Sequence, residues 1–194
     1  SNICGALGAA LEDNLESLGH GASRFGVSGS GLARPDFFDW SLTAVGLVQV
    51  NQPDIVLLMV GANDTQAIVT KEGTVPWGQR ERWSAEYERR LRHLVNQMRA
   101  QGSRVVMLGP TNRRSHRHSR KLKRLRRIQQ RVARDVEALE WIDLFPLSTD
   151  LSGQYLHQGV DVFGRQVKLR MNDGRHLTSA GGAEVARSLL VSFA

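Results

Sequence analysis

The sequence predicts an α/β fold, a three-layer, doubly wound arrangement around a mostly parallel sheet. Two short runs, Ile55 to Val60 and Arg104 to Leu108, are almost continuously apolar, as strands buried on both faces must be. Longer segments between and after them repeat their apolar residues at helical spacing, and the connections are short and rich in Gly and Pro. The 194 residues read as one domain, 1–194, long enough to bury roughly 70% of the unfolded surface in a single core.

The chain opens on an amphipathic helix. Ile3, Leu7, Ala10, Leu11, Leu15 and Leu18 recur at helical intervals, Glu12, Asp13 and Glu16 fill the other face, and Gly19 and Gly21 stop it. Ala22 to Ser28 then reads as a short strand, and Gly26 to Leu32 as a flexible glycine-rich loop. A second helix is expected over Leu42 to Val50, ended by Pro53, and a buried strand over Asp54 to Val60. Gly73 to Gly78 reads as an irregular loop, on the strength of Pro76 and its two glycines.

From Arg80 to Gln101, Trp83, Tyr87, Leu91, Leu94, Val95 and Met98 mark a helix that Gly102 terminates. Arg104 to Leu108 is the next strand. The segment Arg113 to Arg134 holds eleven of the 26 lysines and arginines, threaded by Leu122, Leu125, Ile128 and Val132 at helical spacing, so one face packs while the other is cationic. Glu140 to Phe145 is the last sheet strand. Tyr155 to Arg170 reads as a hairpin turning at Phe163-Gly164-Arg165, and Thr178 as the N-cap of a closing helix.

Composition narrows the function classes. One cysteine, Cys4, excludes an internal disulfide and a cysteine-based zinc site. No run approaches the roughly 18 apolar residues of a membrane span, and no signal peptide is visible. The net charge of +7 points to an anionic partner or surface. Arg113, Arg114, Arg117, Arg120, Lys121, Lys123, Arg124 and Arg127 are the candidates for holding it. No Phe, Tyr or Trp is interleaved among them, which counts against single-stranded nucleic acid.

Two motifs carry chemistry. Asn172-Asp173-Gly174-Arg175-His176 sets a carboxylate three residues before an imidazole, a spacing at which Asp173 can orient His176 as a general base. Far upstream, Gly61-Ala62-Asn63-Asp64-Thr65 comes directly after the apolar run ending at Val60, at the carboxyl end of a strand, where sites form in open α/β sheets. Asn63 there can donate its amide to a developing oxyanion, or simply cap the strand as an Asx turn.

Together, these blocks resemble the SGNH (GDSL-type) hydrolases, and Arg34-Pro35-Asp36-Phe37-Phe38-Asp39-Trp40 resembles a segment of one bacterial subgroup, of the DUF459 type. The resemblance implies a flavodoxin-like α/β/α domain that hydrolyses or transfers an acyl ester without metal or organic cofactor. It assigns His176 as general base, Asp173 as its orienting carboxylate, and Gly31 and Asn63 as oxyanion donors. The pattern Ser1-x-x-x-Gly5-x-x-Gly8 resembles the stretch just after the family's first Gly-Asp, which puts Ser1 at the nucleophile position. Ser1-Asn2 also has the form of a scar left by removing a tag, and the family's first strand, with its Gly-Asp, is missing from the sequence.

The subgroup is generally exported in bacteria, and an O-acetylated cell-envelope carbohydrate is the substrate that the resemblance favours. Two other classes are open. One is a catalytically incompetent SGNH module that binds an anionic envelope polymer, and the other a nucleic-acid-binding protein acting through the basic helix.

Overall fold

The computed structural model describes residues 2–191. The elements run in the order α1 (Ala6–Ser17), α2 (Trp40–Asn51), β1 (Ile55–Leu58), β2 (Ile68–Thr70), β3 (Gly73–Val75), α3 (Arg80–Arg99), β4 (Arg104–Leu108), α4 (His116–Asp135), β5 (Leu139–Ile142), β6 (Gln158–Val160), β7 (Gln166–Lys168) and α5 (Ser179–Val191). They fall into two compact units. The first takes its described residues from stretches 1–29, 111–116 and 144–194, and the second from 30–110 and 117–143.

The second unit holds the parallel sheet, ordered β1-β4-β5. Val105, Val106, Met107 and Leu108 of β4 are all buried, so both faces of the central strand are covered. Val105 and Met107 join one apolar cluster with Trp83, Tyr87, Leu91 and Leu94 of α3 and Leu122, Leu125 and Ile128 of α4. Spacings of three and four residues bring each of those rows onto one helix face. Burying a side chain of this size is worth about 1.5–3 kcal/mol.

Helix α2 starts where the Asp39 carboxylate accepts the N–H groups of Ser41 and Leu42, and ends at Gln52 in the left-handed region, just before Pro53. Residues 73–75, expected in an irregular loop, instead form β3, antiparallel to β2. Ile68 and Val75 face each other and are both buried, and this pairing outweighs the local turn chemistry that suggested a loop. Gly73, at φ 130°, supplies the backbone conformation the tight reversal needs.

In the first unit, α1 and α5 pack on each other through Leu7, Leu11, Val185, Ala186 and Leu189. Contact is close enough that a Cβ on Gly182 would lie 2.5 Å from the Ala6 backbone. Residues 22–28, expected as a strand, take an irregular and largely exposed path. Glycines at 19, 21, 26 and 29 weaken any strand there, and Arg24 turns back to donate to the carbonyls of Cys4 and Gly5 and to pair with Glu12. The hairpin expected over 155–170 is present as β6 and β7, turned by Asp161, whose carboxylate accepts the N–H groups of Phe163 and Arg165.

Candidate active site

The loop from Arg170 to Thr178 folds on itself. Its ends meet in an isolated antiparallel bridge between Arg170 and Leu177, and the Met171 N–H donates to the His176 carbonyl at 2.8 Å. At its tip Gly174 has φ 67°, and a Cβ there would sit 2.6 Å from that of Arg114, whose N–H donates to the Gly174 carbonyl. Within this frame one oxygen of Asp173 accepts the N–H groups of Arg175 and His176, at 2.8 and 3.1 Å. The other oxygen lies 2.6 Å from His176 Nδ1.

The carboxylate is therefore oriented before it meets the ring, and Nε2 is the imidazole nitrogen left for chemistry. Desolvation pushes the Asp173 carboxyl up, but the two N–H groups and the ring of His176 together outweigh it and hold it well below the usual carboxylate range. Both side chains are about half exposed, so a substrate can reach them.

Two residues that the sequence did not single out complete this loop. The Asn2 side-chain oxygen accepts the N–H of Leu177 at 3.0 Å, tying the residue after Ser1 to the residue after His176. Ser1 itself lies outside the described residues. Arg170 is 1% exposed, and its guanidinium donates to the Thr111 hydroxyl and the Arg175 carbonyl while Nη2 has no partner. Burial lowers its pKa to about 10, so it stays charged. Neither residue carries a spacing or motif that could have revealed it.

In the second unit, Gly31 and Asn63 lie on adjoining loops. The Asn63 amide donates to the Ser30 carbonyl at 2.9 Å. Asp64, the one acidic residue of the Gly61 to Thr65 block, is fully buried, accepting from the Ala33 N–H at 2.8 Å and the Tyr87 hydroxyl at 3.2 Å. Burial raises its carboxyl pKa, opposed by those donors and the Leu32 N–H. A Cβ on Gly31 would fall 2.2 Å from an Asp64 oxygen, so only glycine fits. Asp64 thus anchors the Gly31 loop against β1's end, a role invisible in the motif. Gly31 also lines an open cleft of about 860 Å³ with Phe38, Trp40, Val69, Arg90 and His93.

The eight candidate cations divide. Arg113 is half-buried, and Arg114 lies over Gly174. Lys121 donates to the Thr65 carbonyl, and Arg124 stacks on Trp77 and Trp83 while donating to the Trp77 carbonyl and Ser84 hydroxyl. Arg117, Arg120, Lys123 and Arg127 are exposed. Among the described residues no three His, Cys, Asp or Glu side chains gather to hold a metal ion.

Comparison with known proteins bears on the family and the fold. The family described as "Protein of unknown function (DUF459)" matches residues 2–192. An acetylxylan esterase from Geobacillus stearothermophilus, solved as a catalytic mutant, superposes with a TM-score of 0.63 at 19% identity, over 98% of this chain and 80% of that one. The acetyl xylan esterase AlAXEase gives 0.64 at 18% identity, over 98% and 91% of the two chains. A psychrotrophic esterase from Pseudoalteromonas sp., inhibited by monoethylphosphonate, gives 0.64 at 15% identity, over 97% and 85%. No curated protein matches. These likenesses establish the SGNH-hydrolase fold.

Proposed function

The chain belongs to the DUF459 family of SGNH-like hydrolases, and on that premise we propose that it is a serine acyl hydrolase that removes a small acyl group, an O-acetyl group, from a carbohydrate. The observation that carries the reading is the 2.6 Å contact of His176 Nδ1 with Asp173, which leaves Nε2 as a base. The bond from the Leu177 N–H to Asn2 supports Ser1 as its nucleophile, because it ties the start of the chain to the loop holding the base. The acetyl xylan esterases and the phosphonate-inhibited esterase of like fold support the ester and the carbohydrate.

In this mechanism the Ser1 hydroxyl attacks the ester carbonyl carbon while His176 Nε2 takes its proton. The Gly31 N–H and the Asn63 amide are assigned to the negative oxygen of the tetrahedral intermediate, a role worth about 2.7–4 kcal/mol per donor. The intermediate collapses as His176 returns the proton to the departing alcohol, leaving an acyl-serine. Water, deprotonated by the same nitrogen, then releases the carboxylic acid. Asp173 keeps the ring in the required tautomer and stabilises its charged form.

The test is intact mass before and after treatment with a fluorophosphonate ester probe, alongside hydrolysis of 4-nitrophenyl acetate. A single adduct at Ser1, absent in His176→Ala, is expected. No adduct and no hydrolysis would sink the serine mechanism.

A further inference from the structure

We propose that the outer row of α4, formed by Arg117, Arg120, Lys123 and Arg127, binds a linear anionic polysaccharide, and that this polymer carries the ester. The substrate assignment rests on the acyl-hydrolase reading; the binding surface does not.

The helix sorts its cations by use. Arg131, one turn beyond the row, pairs with Glu88, which also holds Arg92; Arg134 pairs with Asp135, and Arg126, to one side, with Asp143. Arg124 and Lys121 are spent on backbone carbonyls and the Trp77 ring. The four residues of the row are exposed, and among the described residues none has a carboxylate partner. Steps of three, three and four residues set them within an arc of roughly 120° and along roughly 15 Å of helix.

Such a row is unfavourable in isolation. Like charges three or four residues apart repel. The helix has no acidic residue in its first turn, where the macrodipole favours one, and Arg117 sits in that turn. The result is a concentrated positive field with no internal counter-charge, matched by a chain of regularly spaced anions. Three of the four are arginines, whose planar forks suit carboxylate or sulfate groups.

The rest of the helix argues against other polyanions. Its apolar residues, Leu122, Leu125, Ile128 and Val132, are all buried, so none is left to insert into a lipid surface. It contains no Phe, Tyr or Trp on which a base could stack.

The experiment measures retention of the full chain on immobilised polygalacturonate, with dextran, duplex DNA and vesicles of phosphatidylglycerol and phosphatidylcholine in parallel. Retention on polygalacturonate is expected to exceed that on DNA and vesicles and to be absent on dextran. It should fall about as the third power of salt concentration, the dependence expected when roughly four cations displace counterions from a single-stranded polyanion. Replacing all four residues with Gln should weaken retention about tenfold or more at low salt. Arg131→Gln, whose charge is already paired with Glu88, and the charge-keeping Arg117→Lys, Arg120→Lys, Arg127→Lys triple should retain it.

Hydrolysis of 4-nitrophenyl acetate should be unchanged in the Gln variant, which also certifies its folding; if no form hydrolyses esters, circular dichroism certifies folding instead. Equal retention of wild type and the folded Gln variant would overturn the surface, as would row-dependent preference for DNA or vesicles. Row-dependent polysaccharide retention without ester hydrolysis by any form would leave the surface standing and overturn the substrate assignment with the acyl-hydrolase reading.

Discussion

Asp173 owes its role to the two backbone N–H groups that fix one oxygen before the other meets His176. Asp173→Asn keeps the shape but offers an amide to Nδ1, so kcat on a nitrophenyl ester is expected to fall by about 10³–10⁴ with little change in KM. Gly31 is constrained sterically: Gly31→Ala drives a methyl into the buried Asp64 carboxylate and should lower stability by about 1–3 kcal/mol, read by urea unfolding. Arg170 poses the opposite case, a buried guanidinium with Nη2 unbonded and no carboxylate partner among the described residues. Arg170→Met removes that desolvated charge and should leave the melting temperature equal or higher. Ester hydrolysis should nevertheless drop about tenfold, because the Arg175 carbonyl beside His176 loses its tether.

Among the elements, α3 joins core and loops. Trp83 and Tyr87 are fully buried and stacked with ring centroids 5.0 Å apart, and Trp83→Ala should cost about 3–5 kcal/mol in chemical denaturation. One turn on, Glu86 holds Arg89 and Arg90, and Arg90 donates to the carbonyls of Leu32 and Val69. Bonding from Arg89, aided by Arg90 against partial desolvation, lowers the Glu86 pKa to about 2 from an ordinary 4.5. A depressed folded pKa means the stabilisation is complete above about 4.5 and disappears as pH falls toward about 2. Between about pH 6 and pH 3, wild type should therefore lose about 1–2 kcal/mol more than Glu86→Gln.

Helices α1, α3, α4 and α5 and the sheet strands were legible because their apolar periods match their burial, α2 from the Pro53 stop that follows it, and Asp173 and His176 because three residues separate them. The β2–β3 hairpin was not, since Ile68 and Val75 reveal their value only when paired across the turn. Residues 22–28 misled for the converse reason: apolar content without a partner strand does not make a strand. Asn2, Asp64 and Arg170 act through contacts with residues remote in sequence, or through burial, and neither shows in local spacing.

For the whole molecule, a net charge of +7 implies self-repulsion in the folded state. Raising salt from about 10 to 300 mM should lift the melting temperature by about 2–4 °C, and by less in the variant lacking the α4 row. The α1–α5 contact has a kinetic corollary. The unit that holds Asp173 and His176 is assembled from three separated stretches, and the partner of its first helix is its last. During synthesis, that unit cannot close until α5 has left the ribosome, while every strand of the parallel sheet has already emerged. A nascent chain arrested before Ser179 should accordingly show protease protection over β1, β4 and β5 and none over α1, so the loop carrying Asp173 and His176 is among the last parts of the protein to become ordered.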